Sequence, residues 1–236
     1  MSEGLTLSNN SFITIRTLRL ALLTSVGLNL AMIGVRLFSY RSLIGMPGAF
    51  TLIVEPAVLL ITYALLVVWA TGRRRTAYRI ALLVGTVFGL ITGGIQIVHL
   101  LLEDFLDLSG GANGIIALAV MLGTFLLWGS AGYRAARRTG AFSTGLFAGA
   151  WSAIVGILIA VTFGFALMFM SVPRAEDVAR WPEFRSSGWG DAQAFAIANT
   201  LEAGFSHLLV GPIVGVVFGG IAGLLARIGR KGSQDG

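Results

Sequence analysis

Residues 142–170 read FSTGLFAGAWSAIVGILIAVTFGFALMFM, a run without one Asp, Glu, Lys or Arg. About 20 apolar residues in a helix cross a hydrocarbon layer ~30 Å thick, so this stretch is long enough to span a membrane. Working outward, similar runs cover about 17–38, 50–71, 80–102 and 113–133, and a last one lies within 195–226. The chain as a whole agrees. Of its 236 residues, 56% are apolar or aromatic and 12% are charged, against about 25% charged in a soluble domain. The fold expected is an all-α integral membrane protein, a six-transmembrane-helix bundle forming a single membrane domain over 1–236.

The loops alternate in sign. Arg16 and Arg19 precede the first span, Arg73, Arg74, Arg75 and Arg79 follow the second, Arg134, Arg137 and Arg138 follow the fourth, and Arg227, Arg230 and Lys231 follow the sixth. Glu103, Asp104 and Asp107 follow the third, while Glu176, Asp177, Glu183 and Asp191 lie between the fifth and sixth. Basic residues mark cytoplasmic loops, so both termini are expected in the cytoplasm of a multi-pass inner cell membrane protein. The polar tail before Thr17 contains Glu3 and no small-residue cleavage site follows the first apolar run, so an uncleaved first span is expected rather than a signal peptide. The net charge of +6 follows this orientation pattern, and no nucleic-acid partner is expected.

Zero cysteines remove disulfides, thiolate metal sites and cysteine nucleophiles. No phosphate-binding loop, HExxH, GxSxG or dinucleotide fingerprint is present, so no catalytic residue is assigned and an enzyme is not expected. The largest loop, from 171 into the sixth segment, carries Trp181, Phe184 and Trp189 among charges. Such residues anchor a segment at the headgroup level.

One pattern recurs. Residues 82–94 and 208–220 both read LLVGxxxGxxxGG, with glycines Gly85, Gly89 and Gly93 in the third span and Gly211, Gly215 and Gly219 in the sixth. Two halves of three spans in inverted topology would produce this match, as in many secondary transporters. Generic small-xxx-small packing produces it too. Either origin predicts two closely packed glycine-faced helices, in contact with one another on the simplest arrangement. The sixth segment is too long for a simple span and holds Pro212, which removes a backbone donor and opposes the carbonyl of Leu208. A kink or break there is expected, with an interfacial or re-entrant piece over 171–206 and the true span over 207–226.

Ionisable residues at membrane depth face protein or water, or snorkel to the interface. At 100° per residue Gln96, His99 and Glu103 continue the glycine stripe of the third span, and Ser25, Asn29 and Arg36 share a face of the first. Gln96, His99, Glu103 and Arg36, together with Glu55, Glu202 and His207, form a candidate polar site near the outer surface, in which Arg36 would pair with Glu55. Three functions follow. A small-molecule or ion permease suits the buried polar stripes, with homodimerisation expected through glycines such as Gly145 and Gly149. A non-catalytic scaffold or partner subunit suits the lack of a soluble domain. A haem or divalent-metal protein would use His99 and His207, the only two histidines; otherwise no cofactor is expected. Lipid bilayer, a second copy or a membrane subunit are the expected partners.

Overall fold

The computed structural model describes residues 14–45, 48–73, 75–105, 111–170 and 173–232. Nine helices and no strand occur among the described residues: α1 (Ile15–Ser39), α2 (Ser42–Gly45), α3 (Ala49–Gly72), α4 (Thr76–Phe105), α5 (Gly111–Thr139), α6 (Phe142–Met170), α7 (Ala175–Val178), α8 (Pro182–Ser187) and α9 (Ala192–Gly232). Six of them, α1, α3, α4, α5, α6 and α9, are long and apolar enough to cross a membrane. They coincide within a few residues with the runs read from sequence, except at the end of α5, which continues past 133 to Thr139, and at α9.

Helix α6 is the centre. It is apolar on all sides, as a helix with no solvent face must be, and residues 151–158 are buried without interruption. Its small residues admit neighbours at backbone distance. A Cβ added to Gly85 would lie 2.7 Å from the Ala148 carbonyl oxygen, and one on Gly89 would lie 2.8 Å from that of Ser152. From the other side, one on Gly219 would lie 2.8 Å from the Gly145 oxygen, and one on Gly215 2.7 Å from that of Gly149. The two matching glycine rows therefore meet a common partner, α6, and not each other. Gly145 and Gly149, expected on an exposed dimer face, are buried inside the chain against α9.

The contacts also set helix directions. Gly85, Gly89 and Gly93 meet α6 in ascending order at Ala148, Ser152 and Ile159, so α4 and α6 are parallel. Gly204, Gly211 and Gly219 meet Phe165, Ile157 and Gly145 in descending order, so α9 runs antiparallel to α6. Helix α5 lies along α9, where Gly132 faces Gly219, and turns into α6 through Gly140. That turn needs a positive φ of 73° at Gly140, which glycine adopts without steric cost. Helices α4, α5, α6 and α9 thus form one glycine-knit core. Helices α1 and α3 form a peripheral pair that touches the core chiefly at α6 and α9.

Of the kink or break expected at Pro212, the break is absent, because α9 is helical without interruption from Ala192 to Gly232. The interfacial piece and the span are one helix. Pro212 has no N–H for the Leu208 carbonyl, and the Tyr63 hydroxyl of α3 donates to that oxygen instead. The orphaned acceptor is satisfied from a neighbouring helix, which removes the main penalty for continuing through proline. Tyr63→Phe leaves this buried oxygen unpaired, and the expected cost is about 1–3 kcal/mol. Thermal melting in detergent, with Tyr78→Phe as the control, checks the value.

At its start α9 extends past the end of α6, and its buried residues Ala194, Ile197, Ala198 and Leu201 need another cover. The 171–191 connection supplies part of it: Val178 of α7 is fully buried, and the Phe184 and Trp189 rings pack edge-on against Phe195 at 5.5 and 5.8 Å. Asp191 closes the helix end. Its Oδ1 accepts the backbone N–H groups of Gln193 and Ala194, and its Oδ2 accepts the Ser42 hydroxyl at 2.8 Å. The Ala194 N–H is the chief cause holding this carboxyl below its ordinary range.

Candidate functional site

The expected outer cluster does not assemble into one site. His99 and Glu103 do meet, Nδ1 to Oε2 at 3.4 Å, one turn apart on α4. This is the only ion pair among the described residues. His99 is buried and its Nε2 has no partner, while Glu103 is 40% exposed. Gln96, one turn below, donates to Thr124 of α5 at 3.3 Å. Of the stripe read from helix phase, Gln96 and His99 therefore face protein, while Glu103 at its end is exposed.

Glu55, Glu202 and His207 are exposed. His207 Nδ1 lies 2.7 Å from the Ala203 carbonyl of its own helix. His99 and His207 sit on helices that flank α6, one ring buried and the other facing outward, so they do not present two nitrogens to one cavity. Among the described residues no group of three His, Asp or Glu side chains is placed to hold a metal ion. The bis-histidine arrangement is thereby corrected: the exposed phase of His207 on a continuous α9 points it away from the bundle.

Arg36 does not pair with Glu55. The arginine residue is 7% exposed, and its guanidinium donates from Nη2 to the Met168 carbonyl at 2.5 Å and stacks 4.0 Å from the Phe169 ring centroid. Met168 lies in the last turn of α6, at the negative end of the helix dipole. Arg36 therefore caps α6. Its Nε remains unpartnered.

Two turns before Arg36 on the same face, Asn29 is fully buried. Its Nδ2 donates to the Ser25 carbonyl at 2.9 Å and to Thr162 Oγ1 of α6 at 2.7 Å, and the Ser25 and Thr162 hydroxyls are 2.7 Å apart. Asn29 Oδ1 has no partner. The Thr162 hydroxyl in turn donates to the Leu158 carbonyl at 2.6 Å, which leaves it acceptor capacity for Asn29. The chain matches no protein-family model, no curated protein and no solved structure. Its chemistry is read from this geometry.

Ser25, Asn29, Arg36, Thr162 and the Met168 carbonyl make a polar seam between the peripheral pair and the core. Continuing it, Tyr63 of α3 bonds to Leu208 of α9 across the same boundary. Sequence reasoning placed Ser25, Asn29 and Arg36 on one face but missed Thr162 and Tyr63. Thr162 is the single polar residue between Ser152 and the end of α6. That isolation is the signal by which it stands out.

The remaining core is drier. Trp151 Nε1 donates to Thr86 at 3.0 Å, and Thr86 and Thr92 bond back to their own helix. Trp128 Nε1 and Ser152 Oγ are buried without partners.

Proposed function

We propose that this chain is a small membrane permease whose solute path is the seam between the α1–α3 pair and the glycine-knit core. The observation that carries the reading is the pairing of unsatisfied buried groups along that seam, the acceptor Asn29 Oδ1 and the donor Arg36 Nε. Buried polar atoms without partners are costly, and two of them on one helical face about 10 Å apart along the axis suit a passing solute with its own donors and acceptors. The guanidinium without a carboxylate favours small neutral or anionic solutes.

The packing supports a moving part. Core helices meet through glycines at backbone contact, whereas α1 meets α6 through side-chain hydroxyls and an amide, which can exchange partners with solute and water. Rocking of one helix group against another around a fixed site is the usual form of alternating access. The loop charges favour cytoplasmic termini in an inner cell membrane, with Arg36 toward the outside. An inverted repeat is not required: both glycine rows serve close packing on α6, which accounts for their similarity.

Flux into proteoliposomes tests the reading, using osmotic shrinkage with glycerol, urea, acetate and lactate. Asn29→Leu keeps the size of the side chain and removes the acceptor. Wild-type protein is expected to pass at least one of these solutes about tenfold faster than Asn29→Leu, the effect of about 1.4 kcal/mol on a barrier. Equal rates for the two proteins and for empty vesicles overturn the permease. Should an unrelated protein then co-purify at fixed ratio, a partner-subunit role would take its place.

A further inference from the structure

A second feature lies on the outer face of α5, away from the seam. Between α4, α5 and α9 runs an open groove of about 370 Å³. Its floor is the stacked pair Phe125 and Phe218, with ring centroids 5.0 Å apart, and Gly129, which leaves the floor low. Phe88 of α4 forms one wall. One end alone is polar, formed by Tyr133 and Arg134 with Ser130 beside them.

Arg134 has no carboxylate partner, since the one ion pair among the described residues is elsewhere. Its guanidinium carbon sits 5.4 Å from the Phe88 ring centroid and the residue is exposed. It lies about 8 Å along the axis from the end of α5 at Thr139, the depth from which an arginine snorkels to the phosphate level. Exposed Arg137 and Arg138 stand one turn further on. The groove thus presents an apolar channel along the helices and a cationic, hydrogen-bonding mouth at the headgroup plane.

We infer that this groove is a binding site for an anionic phospholipid, with an acyl chain along Phe125 and Phe218 and the phosphate on Arg134. The charge complementarity selects the lipid: a zwitterionic headgroup offers the same chain with no net negative charge for the guanidinium. Basic pockets between membrane helices on the side rich in Arg hold anionic headgroups by this combination. A planar guanidinium also meets two phosphate oxygens at once, which an ammonium does not. Tyr133 and Ser130 add hydroxyl donors at the same level.

Native mass spectrometry of the full chain in detergent, titrated with dioleoyl phosphatidylglycerol or dioleoyl phosphatidylcholine, tests the site. Wild-type protein is expected to retain the glycerol lipid preferentially, and Arg134→Gln to lower that retention about fivefold. Arg138→Gln removes the same charge outside the groove and should change it little. Ser130→Phe fills the groove from the lipid side while keeping Arg134, and should weaken both lipids. The inference is overturned by equal retention of the two lipids in wild-type protein. It is also overturned if Arg138→Gln weakens binding as much as Arg134→Gln, because the attraction would then belong to the whole basic end.

Discussion

Gly149→Val is expected to prevent assembly of the core. A Cβ at this position would lie 2.6 Å from the Gly219 Cα and against the Gly215 carbonyl, both backbone atoms of α9. Neither can rotate away, so α6 and α9 must separate, and that gap would break the packing of α5 on α9 as well. Overpacking a tight core costs about 1–3 kcal/mol when side chains can adjust and more when they cannot, so a loss of at least ~3 kcal/mol is expected. Gly94→Val provides the contrast, because Gly94 belongs to the same repeated pattern yet an added Cβ meets nothing within 4 Å. Size-exclusion profile and melting temperature in detergent should be lost for Gly149→Val and near wild type for Gly94→Val. Equal behaviour of the two would contradict the central position of α6.

Arg36→Ala carries the second large effect. It removes a charge-assisted hydrogen bond to Met168, worth about 1.5–3 kcal/mol, and a guanidinium stack on Phe169 of about 1–2 kcal/mol. The expected loss is about 3 kcal/mol, seen as a lower melting temperature and as earlier opening of the α6 end in hydrogen exchange. Arg36→Met should lose less, since it fills the space and removes a buried, partly unsatisfied charge along with the bond. A larger loss for methionine than for alanine would mean that the cavity does not matter and that the guanidinium acts on some other group.

The extent of sequence legibility follows from what helix periodicity encodes. Run length and the absence of charge placed the long helices, because a membrane span has no other way to satisfy its backbone. Phase placed Ser25, Asn29 and Arg36 on one face and joined Gln96 and His99 to the glycine stripe, and the structure holds both groupings. Phase does not say what a face meets. The two glycine rows were expected to meet one another, and Gly145 and Gly149 a second copy, yet both rows meet α6 and those two glycines lie within that contact. The same limit applied to Arg36, matched by charge to Glu55 when its partner is a backbone carbonyl with no sequence signature.

At α9 the expected break came from treating proline as a local event. The lost hydrogen bond is local, but its replacement by Tyr63 comes from a helix 145 positions away. A tyrosine in the middle of an apolar span must place its hydroxyl somewhere, and a proline elsewhere in the bundle leaves a carbonyl open. Taken together the two residues announce each other. With the helix continuous, the phase of Glu202 and His207 turns outward, and the cluster drawn from their depth alone dissolves.

The seam between α1 and α6 is the centre of the functional account, and a chain without cysteine allows it to be probed directly. Ser25→Cys, Thr162→Cys and, within the core, Val155→Cys would each be reacted with a membrane-impermeant maleimide in proteoliposomes. The account predicts slow but complete labelling at Ser25→Cys and Thr162→Cys, accelerated by a transported solute, and none at Val155→Cys. Seam thiols as unreactive as the one at Val155→Cys would contradict it, because a boundary that never admits water cannot pass a polar solute.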